Sequence, residues 1–186
     1  SGIGSIALGY YVSASGNNSF AIGSQNTASA LSSQAIGLQS VADRYGMLAA
    51  ASGSFAANGD CQFVRFILRG KTTTNSAATL FLDGSSSRLT IPAGKILYAT
   101  VHVLGSKSDG SAVASYMRQF CMKRVVNTTS LVGTVNTIGT DEAAGTSLAI
   151  TADDTNDAAN IAPTGVSGET WRWVAYVFGV ELAFGT

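Results

Sequence analysis

Hydrophobic and small residues near the start of the chain recur every fourteen positions. Three adjacent columns keep this period and begin at Ala7, Leu8 and Gly9, and a further small-residue column begins at Ala14. A period this short cannot hold a helix pair or a propeller blade. Each unit is therefore predicted to be one coil of a parallel β-solenoid, in which tight turns join two short strands.

Glycine and alanine determine the properties expected of each coil. The column that begins at Gly9 continues through Gly23 and Gly37, where a missing Cβ permits positive φ or close approach of a neighbouring coil. Alanine and isoleucine leave a thin interior, and four coils at about 4.7 Å per strand give a rod only on the order of 19 Å tall. We expect the roll to need a further apolar surface, supplied most simply by identical copies around an axis.

The ordered columns resemble the head repeat of trimeric autotransporter adhesins, which also occurs in phage fibre proteins. The resemblance covers roughly residues 2–49 and implies a left-handed parallel β-roll that assembles as a trimer. Asn26 and Ser40 depart from one small apolar column, and Arg44 stands where Gly16 and Ala30 stood. These departures predict that the roll ends near residues 41–45. A last irregular coil or neck is expected to follow.

From Cys61 onward the hydrophobic period falls to two, which indicates β-strands. Turn residues separate the predicted strands, which cover residues 61–69, 79–82, 88–91, 95–104, 113–126, 131–135, 147–152, 160–162 and 171–184. Without a helical pattern between them, these strands predict an antiparallel β-sandwich or jelly roll. We therefore predict an all-β chain with two domains: a roll shaft and neck over residues 1–60, and a sandwich head over residues 61–186.

Amino-acid composition limits the kinds of molecule that the protein is expected to bind. The chain has 186 residues, 46% of them hydrophobic and only 12% charged, and its formal net charge is zero. This argues against nucleic-acid binding and against electrostatic attachment to an anionic membrane. No run of eighteen apolar residues predicts a membrane span. The chain begins at Ser1 without Met, which is expected of a processed product or an expressed fragment.

Residues 82–92, 151–156 and 172–175 resemble parts of a β-sandwich domain found near the C-terminal ends of phage tail fibres. This second resemblance implies a virion protein. It also implies contact with the host surface and with other tail proteins.

The chain offers few residues for catalysis. His102 is the only histidine, and it lies within an alternating strand pattern rather than beside a named partner. None of the serines stands in a Gly-x-Ser-x-Gly turn, and no carboxylate pair suited to glycoside hydrolysis is evident. We expect a protein without enzymatic activity.

A metal site is also not expected. Asp153, Thr155 and Asp157 alternate in a way that would suit Ca²⁺, but the segment lacks the glycine and the closing glutamate of a calcium loop. Asp and Asn in such a segment more commonly bond their own backbone in a hairpin turn. The prediction is a turn, with no metal and no cofactor.

The two cysteines and the last predicted strand can each be interpreted in two ways. Cys61 and Cys121 lie in apolar alternating runs and are expected to be free thiols, with a bridge between them as the alternative. The strand that begins at Trp171 has two apolar faces. We expect one face in the sandwich core and the other against a neighbouring subunit, with a sugar-stacking platform as the functional alternative.

Together these patterns predict a homotrimeric phage tail-fibre component that binds a host glycan or outer-membrane protein through its head. The alternatives are a capsid decoration or structural spike and a bacterial trimeric adhesin head. Irregular polar loops suit receptor choice better than the repetitive roll surface. The candidate receptor-binding residues in these loops are Ser108, Asp109, Asn127, Thr128, Asp141, Glu142, Asp154 and Asn156.

Overall fold

The computed structural model describes residues 1–184, and within that range the regular structure consists of sixteen β-strands. The first seven belong to the N-terminal roll: β1 Ile6–Tyr10, β2 Ser13–Ala14, β3 Phe20–Ser24, β4 Thr27–Ala28, β5 Gln34–Leu38, β6 Val41–Ala42 and β7 Leu48–Ser52. The other nine belong to the head: β8 Cys61–Thr72, β9 Leu89–Thr90, β10 Lys95–Lys107, β11 Val113–Val125, β12 Thr128–Leu131, β13 Asn136–Thr137, β14 Ser147–Asp153, β15 Ala158–Thr164 and β16 Trp171–Ala183. No helix in the described range is long and apolar enough to span a membrane.

The roll has the predicted fourteen-residue period. Its longer strands β1, β3, β5 and β7 pair in parallel, so that Ala7 lies beside Ala21, Ala21 beside Ala35, and Ala35 beside Ala49. The short strands β2, β4 and β6 form a second parallel sheet with the same offset. Alanines from both sheets fill the thin interior between them, and from Ala14 to Ala49 they are buried. The prediction of a parallel solenoid is confirmed.

Close approach between coils explains the glycine column. A Cβ added to Gly23 would lie 2.1 Å from the carbonyl oxygen of Gly37, and one added to Gly37 would lie 2.2 Å from that of Ala51. Both glycines also have positive φ, at 118° and 95°. The column therefore holds glycine for steric and conformational reasons together.

The roll passes into the head through one continuous sheet. Strand β7 pairs in parallel with β5 on one edge and antiparallel with β8 on the other, where Leu48 lies beside Arg65. The resulting order is β1-β3-β5-β7-β8-β16-β10-β11-β12, with β13 also paired to β11. The prediction that the roll ends near residues 41–45 is right for the second sheet, which ends at β6. It is wrong for the first sheet, because β7 adds a further strand.

The head consists of antiparallel sheets, as predicted. Strands β8, β16, β10, β11 and β12 form its larger layer, and β14, β15 and β9 form a smaller sheet of three strands. Two strand predictions were wrong. Residues 79–82 do not form a strand and contain only an isolated bridge, between Phe81 and Arg69. The strand predicted at residues 131–135 lies earlier in the chain, as β12, and ends at Leu131. The last two residues of the predicted head lie outside the described range.

The two faces of the large sheet differ in exposure. Its inner face packs in the core and includes Phe66, Val101, Phe120 and Trp171, which are at most 1% exposed. The opposite face, here called the outer face, is continuous from the roll into the head because the same strand pairings carry it across. Exposed hydrophobic side chains on the outer face are Ile6, Leu8, Tyr10, Leu38, Phe63, Ile67, Tyr98, Leu104, Val174, Tyr176, Val180 and Leu182.

A buried charge cluster joins the roll to the head. Glu181 of β16 is 1% exposed, and its carboxylate accepts hydrogen bonds from Arg44 in the roll, from Lys95 at 2.7 Å and from Gln62 at 3.1 Å. Burial opposes ionisation of Glu181, but attraction to Arg44 and Lys95 outweighs it and lowers the carboxyl pKa. Arg44 thus departs from its small-residue column because its side chain turns toward the head.

Candidate ligand groove on the head

A groove of about 430 Å³ lies on the outer face of the head. Its floor comes from three adjacent strands, through His102 and Leu104 of β10, Ser115 and Met117 of β11, and Val174 and Tyr176 of β16. Residues 138–140, which follow β13, form its wall. The volume falls within the range of ordinary small-molecule sites.

Two contacts fix this wall against β11. Arg118 donates two parallel hydrogen bonds to the carboxylate of Asp141, both at 2.6 Å. The backbones of Ser115 and Glu142 exchange a pair of hydrogen bonds of 2.8 and 3.1 Å. Because Arg118 itself is buried, this bidentate pair holds the segment that follows Thr140 in one position.

Aromatic rings form one end of the groove floor. The rings of Tyr176 and Phe178 are stacked with centroids 5.3 Å apart, and the His102 ring meets Phe178 edge-on at 5.5 Å. Period-two alternation places Tyr176 and Phe178 on the same face of β16, and strand pairing sets His102 beside Tyr176. The cluster offers partly exposed ring faces to a ligand.

The groove is electrically neutral. No carboxylate, ammonium or guanidinium belongs to its lining within residues 1–184. Asp141 stands next to the lining, but its hydrogen bond from Arg118 lowers its pKa and its charge is paired. Burial raises the pKa of Tyr116, whose hydroxyl lies 2.6 Å from Thr146 Oγ1. Apart from His102, the lining offers apolar side chains, hydroxyls and backbone groups, which suit apolar contact and neutral hydrogen bonding.

Four of the eight candidate loop residues lie toward this end of the head. Asp141 and Glu142 flank the groove directly. Ser108 and Asp109 form the turn between β10 and β11, where the Asp109 carboxylate accepts hydrogen bonds from Ser111 Oγ at 2.7 Å and Ser111 N at 2.9 Å. The bonds from Ser111 lower the pKa of Asp109.

The other four lie at the opposite end of the long strands. Asn127 and Thr128 lie at the turn that joins β11 to β12. They are close to Asp154, whose carboxylate accepts a hydrogen bond of 2.6 Å from the backbone of Thr129. Asn156 lies in the same turn as Asp154. Strands of thirteen residues such as β10 span roughly 40 Å, so the eight residues do not form one surface.

Residues 153–157 form the predicted turn. They connect β14 to β15 in a hairpin, and Asp153 Oδ1 accepts a hydrogen bond of 3.1 Å from the backbone of Asn156. Arg88 pairs with Asp153 at 3.0 Å, and Arg124 pairs with Asp157 at 2.8 Å. The carboxylates are thus engaged by backbone and arginine. Among the described residues no cluster of three His, Cys, Asp or Glu has the geometry of a metal site.

The tryptophans belong to the core and not to a ligand platform. Trp171 and Trp173 are buried and stacked at 5.6 Å, and Trp173 Nε1 donates to Thr72 Oγ1 at 3.0 Å. The expectation that one face of this strand lies in the sandwich core is confirmed. Cys61 and Cys121 are both free, as expected.

Sequence reasoning missed residues 138–140, whose Ile-Gly-Thr composition carries no chemical signal. It identified the aromatic strand but not the ligand groove that His102 and Tyr176 line together. The pairing of β10 with β16 creates that juxtaposition. Alternation within each strand was the one available clue, since it puts both side chains on an exposed face.

Comparison with known proteins gives one sequence match and several weak structural ones. The search of curated proteins found no match to this sequence. Among solved structures, the tailspike of Acinetobacter baumannii bacteriophage Fri1, a capsular polysaccharide depolymerase, is 10% identical with a TM-score of 0.38, covering 94% of this chain and 36% of that one. The tailspike of Acinetobacter phage vB_ApiP_P1 is 14% identical with a TM-score of 0.35, covering 96% and 39%.

The chain thus spans little more than a third of the length of these tailspikes. The match to a family model, in contrast, falls on the fourteen-residue repeat itself. Two copies of the YadA head domain repeat match residues 1–26 and 14–40, which contain the first coils of the roll. The N-terminal roll is therefore built from YadA-type head repeats.

Proposed function

We propose that this chain is a component of a phage tail fibre or tailspike, that it assembles as a homotrimer, and that its head contacts the host cell surface without cleaving it. The observation that carries the proposal is the continuous apolar outer face, which begins on the YadA-type repeats and extends across the head. The virion placement is in keeping with the weak similarity to the two phage tailspikes described above.

The outer face is large enough for stable self-association. Nine of its hydrophobic side chains lie outside the groove lining and are between 38% and 64% exposed. They present on the order of 800 Å² of apolar surface, which exceeds the patches common on monomers and matches one side of a standard interface. Cyclic packing of three copies would cover these side chains in the roll and in the adjoining part of the head, and would leave the groove open.

Host contact is assigned to the groove end of the head. A neutral groove with aromatic rings, backbone groups and the hydroxyls of Ser115 and Thr140 suits a neutral glycan or an uncharged protein loop. Weak contacts of this kind gain strength when three copies engage one surface together. The groove lining holds no carboxylate pair, so we propose binding without hydrolysis. The YadA-type repeats favour a bacterial adhesin head as the second candidate.

Two measurements test this proposal. Light scattering of the whole chain at micromolar concentration should give three times 19.0 kDa. The whole chain should also block adsorption of the phage that encodes it. Thr140→Trp, which fills the groove from its wall, should abolish this block, whereas Thr128→Trp at the opposite end of the head should not.

A monomer in solution would contradict the assembly. Equal blocking by wild type and Thr140→Trp would remove the groove from host recognition. Release of reducing sugar from host polysaccharide would contradict binding without cleavage.

A further inference from the structure

Phe55 lies in the loop between β7 and β8 and is 80% exposed, although the groups around it are firmly held. The Asp60 carboxylate accepts hydrogen bonds from the backbone N–H groups of Phe55 at 3.0 Å, Ala56 at 2.7 Å and Ala57 at 2.9 Å. These backbone bonds lower the pKa of Asp60 to about 2, so the carboxylate stays charged in ordinary buffers.

The same loop is anchored to the roll. Asn58 Nδ2 donates to the carbonyl of Gln25 at 2.8 Å, and the backbone N–H of Gly59 donates to the carbonyl of Gln39 at 2.8 Å. The backbone that carries this large aromatic ring is therefore fixed, while the ring itself lies in solvent. An exposed ring of this size forgoes hydrophobic stabilisation, which a contact with another surface would recover.

A depression of about 430 Å³ lies beside this ring at the junction of roll and head. Phe55 forms part of its lining, and the remaining apolar lining includes Ala50 of β7, Phe63 of β8, and Val180 and Leu182 of β16. Phe63, Val180 and Leu182 are each between 39% and 53% exposed and belong to the outer face. The depression is therefore continuous with the surface to which self-association is assigned.

We propose that Phe55 is the anchor of the contact between copies at the roll–head junction, where it packs against the apolar lining of this depression on a second copy of the chain. This inference rests on the proposed self-association and names its central contact. In this arrangement Phe55 of each copy packs against Phe63, Val180 and Leu182 of the next copy, so the contact is heterologous, as a ring of three copies requires. A large side chain that anchors in an apolar depression is a common form of interface hot spot.

The depression is distinct from the ligand groove. Val180 lines the depression and Val174 lines the groove, and six residues along β16 separate them by roughly 20 Å. Contact between copies at the junction thus leaves the groove end of the head available.

The test compares Phe55→Ala with Val126→Ala in the whole chain. Val126 is a matched control because it is also exposed, at 71%, but lies in the turn between β11 and β12. The concentration at which assemblies half-dissociate, measured by analytical ultracentrifugation, should rise at least about tenfold for Phe55→Ala and stay unchanged for Val126→Ala.

Phe55→Trp supplies a second readout that does not depend on loss of assembly. Its tryptophan emission should shift to shorter wavelength in the assembled protein and to longer wavelength on dilution, above the constant signal of the buried Trp171 and Trp173. If wild type assembles and Phe55→Ala half-dissociates at the same concentration as wild type, the inference is wrong and the proposed assembly stands. If wild type is monomeric, both fail.

Discussion

Side-chain amides take the place of backbone groups at two points, one inside the roll and one where the head meets the roll. Asn26 is fully buried, and its carboxamide donates to the carbonyls of Ile22 at 2.6 Å and Gly37 at 2.8 Å. Its oxygen accepts from the backbone and hydroxyl of Ser40, both at 2.9 Å. Gln62 bonds both the N–H and the carbonyl of Val41, at 2.9 and 3.0 Å. Gln62 therefore caps the second sheet as a further strand would.

Asn26→Ala should lower the free energy of unfolding by about 2 kcal/mol, because it leaves buried polar groups of neighbouring coils without partners. Asn127→Ala is the control, since Asn127 is exposed in a turn of the head. Urea unfolding at one fixed protein concentration measures both. Equal stability of the two variants would mean that solvent replaces the Asn26 contacts.

At the same scale, sequence reasoning identified Asn26 and Ser40 but interpreted them as decay of the repeat. The two polar residues lie one coil apart and hydrogen-bond to each other, so both departures from small apolar residues belong to one polar contact. A single sequence shows the substitution but not the partner, because the partner is set by strand register. Val12, at the equivalent position one coil earlier, gave no hint of polar pairing.

At the scale of the element, each coil of the roll depends on turns that repeat in conformation more than in residue type. Positive φ occurs at Tyr11, Gln25 and Gln39, spaced by fourteen residues, and again at Asn18 and Ser32. Sequence reasoning found the glycine column because one residue type marks it. It missed these turn columns because tyrosine and glutamine seldom indicate positive φ. Strand positions were therefore predictable and turn geometry was not.

Gly37→Ala should destabilise the roll by more than about 2 kcal/mol, because the new Cβ would collide with a backbone oxygen as well as adopt positive φ. Gly133→Ala is the matched control: Gly133 also has positive φ, but no atom lies within 4 Å of its added Cβ. That variant should lose only about 1 kcal/mol. Thermal unfolding followed by circular dichroism compares them, and equal losses would contradict the steric account.

At the scale of the whole molecule, the buried cluster around Glu181 couples roll and head. Its members come from distant parts of the chain, and Arg44 and Glu181 lie 137 positions apart in the sequence. Periodicity within short windows predicted the solenoid and most head strands, because those signals are local. Neither the charge cluster nor the groove wall has a local signal, since each depends on segments brought together by the sheet.

Glu181→Gln should lower the free energy of unfolding at pH 7 by about 3 kcal/mol, because it leaves Arg44 and Lys95 without their buried counter-charge. Glu142→Gln, at an exposed position, should change it by less than about 0.5 kcal/mol. The folded-state pKa of Glu181 lies below its usual 4.5. Its contribution is therefore present above pH 4.5 and lost as pH falls through the lower folded value.

The difference between wild type and Glu181→Gln should accordingly shrink in acid. Urea unfolding at pH 7 and pH 3 measures this. A difference that stays constant between these pH values would mean that the carboxylate charge is not what stabilises the junction.

The two-sided pairing of β7 also bears on how such molecules change length during evolution. Its parallel edge accepts one coil after another, whereas its antiparallel edge fixes the head. Recombination that inserts or removes whole fourteen-residue units between Ala14 and Ala42 would lengthen or shorten the shaft by about 4.7 Å per unit and keep every interior alanine in register. An insertion of one residue would turn the interior side chains outward. Shaft length is thus free to vary in fixed steps while the head remains unchanged.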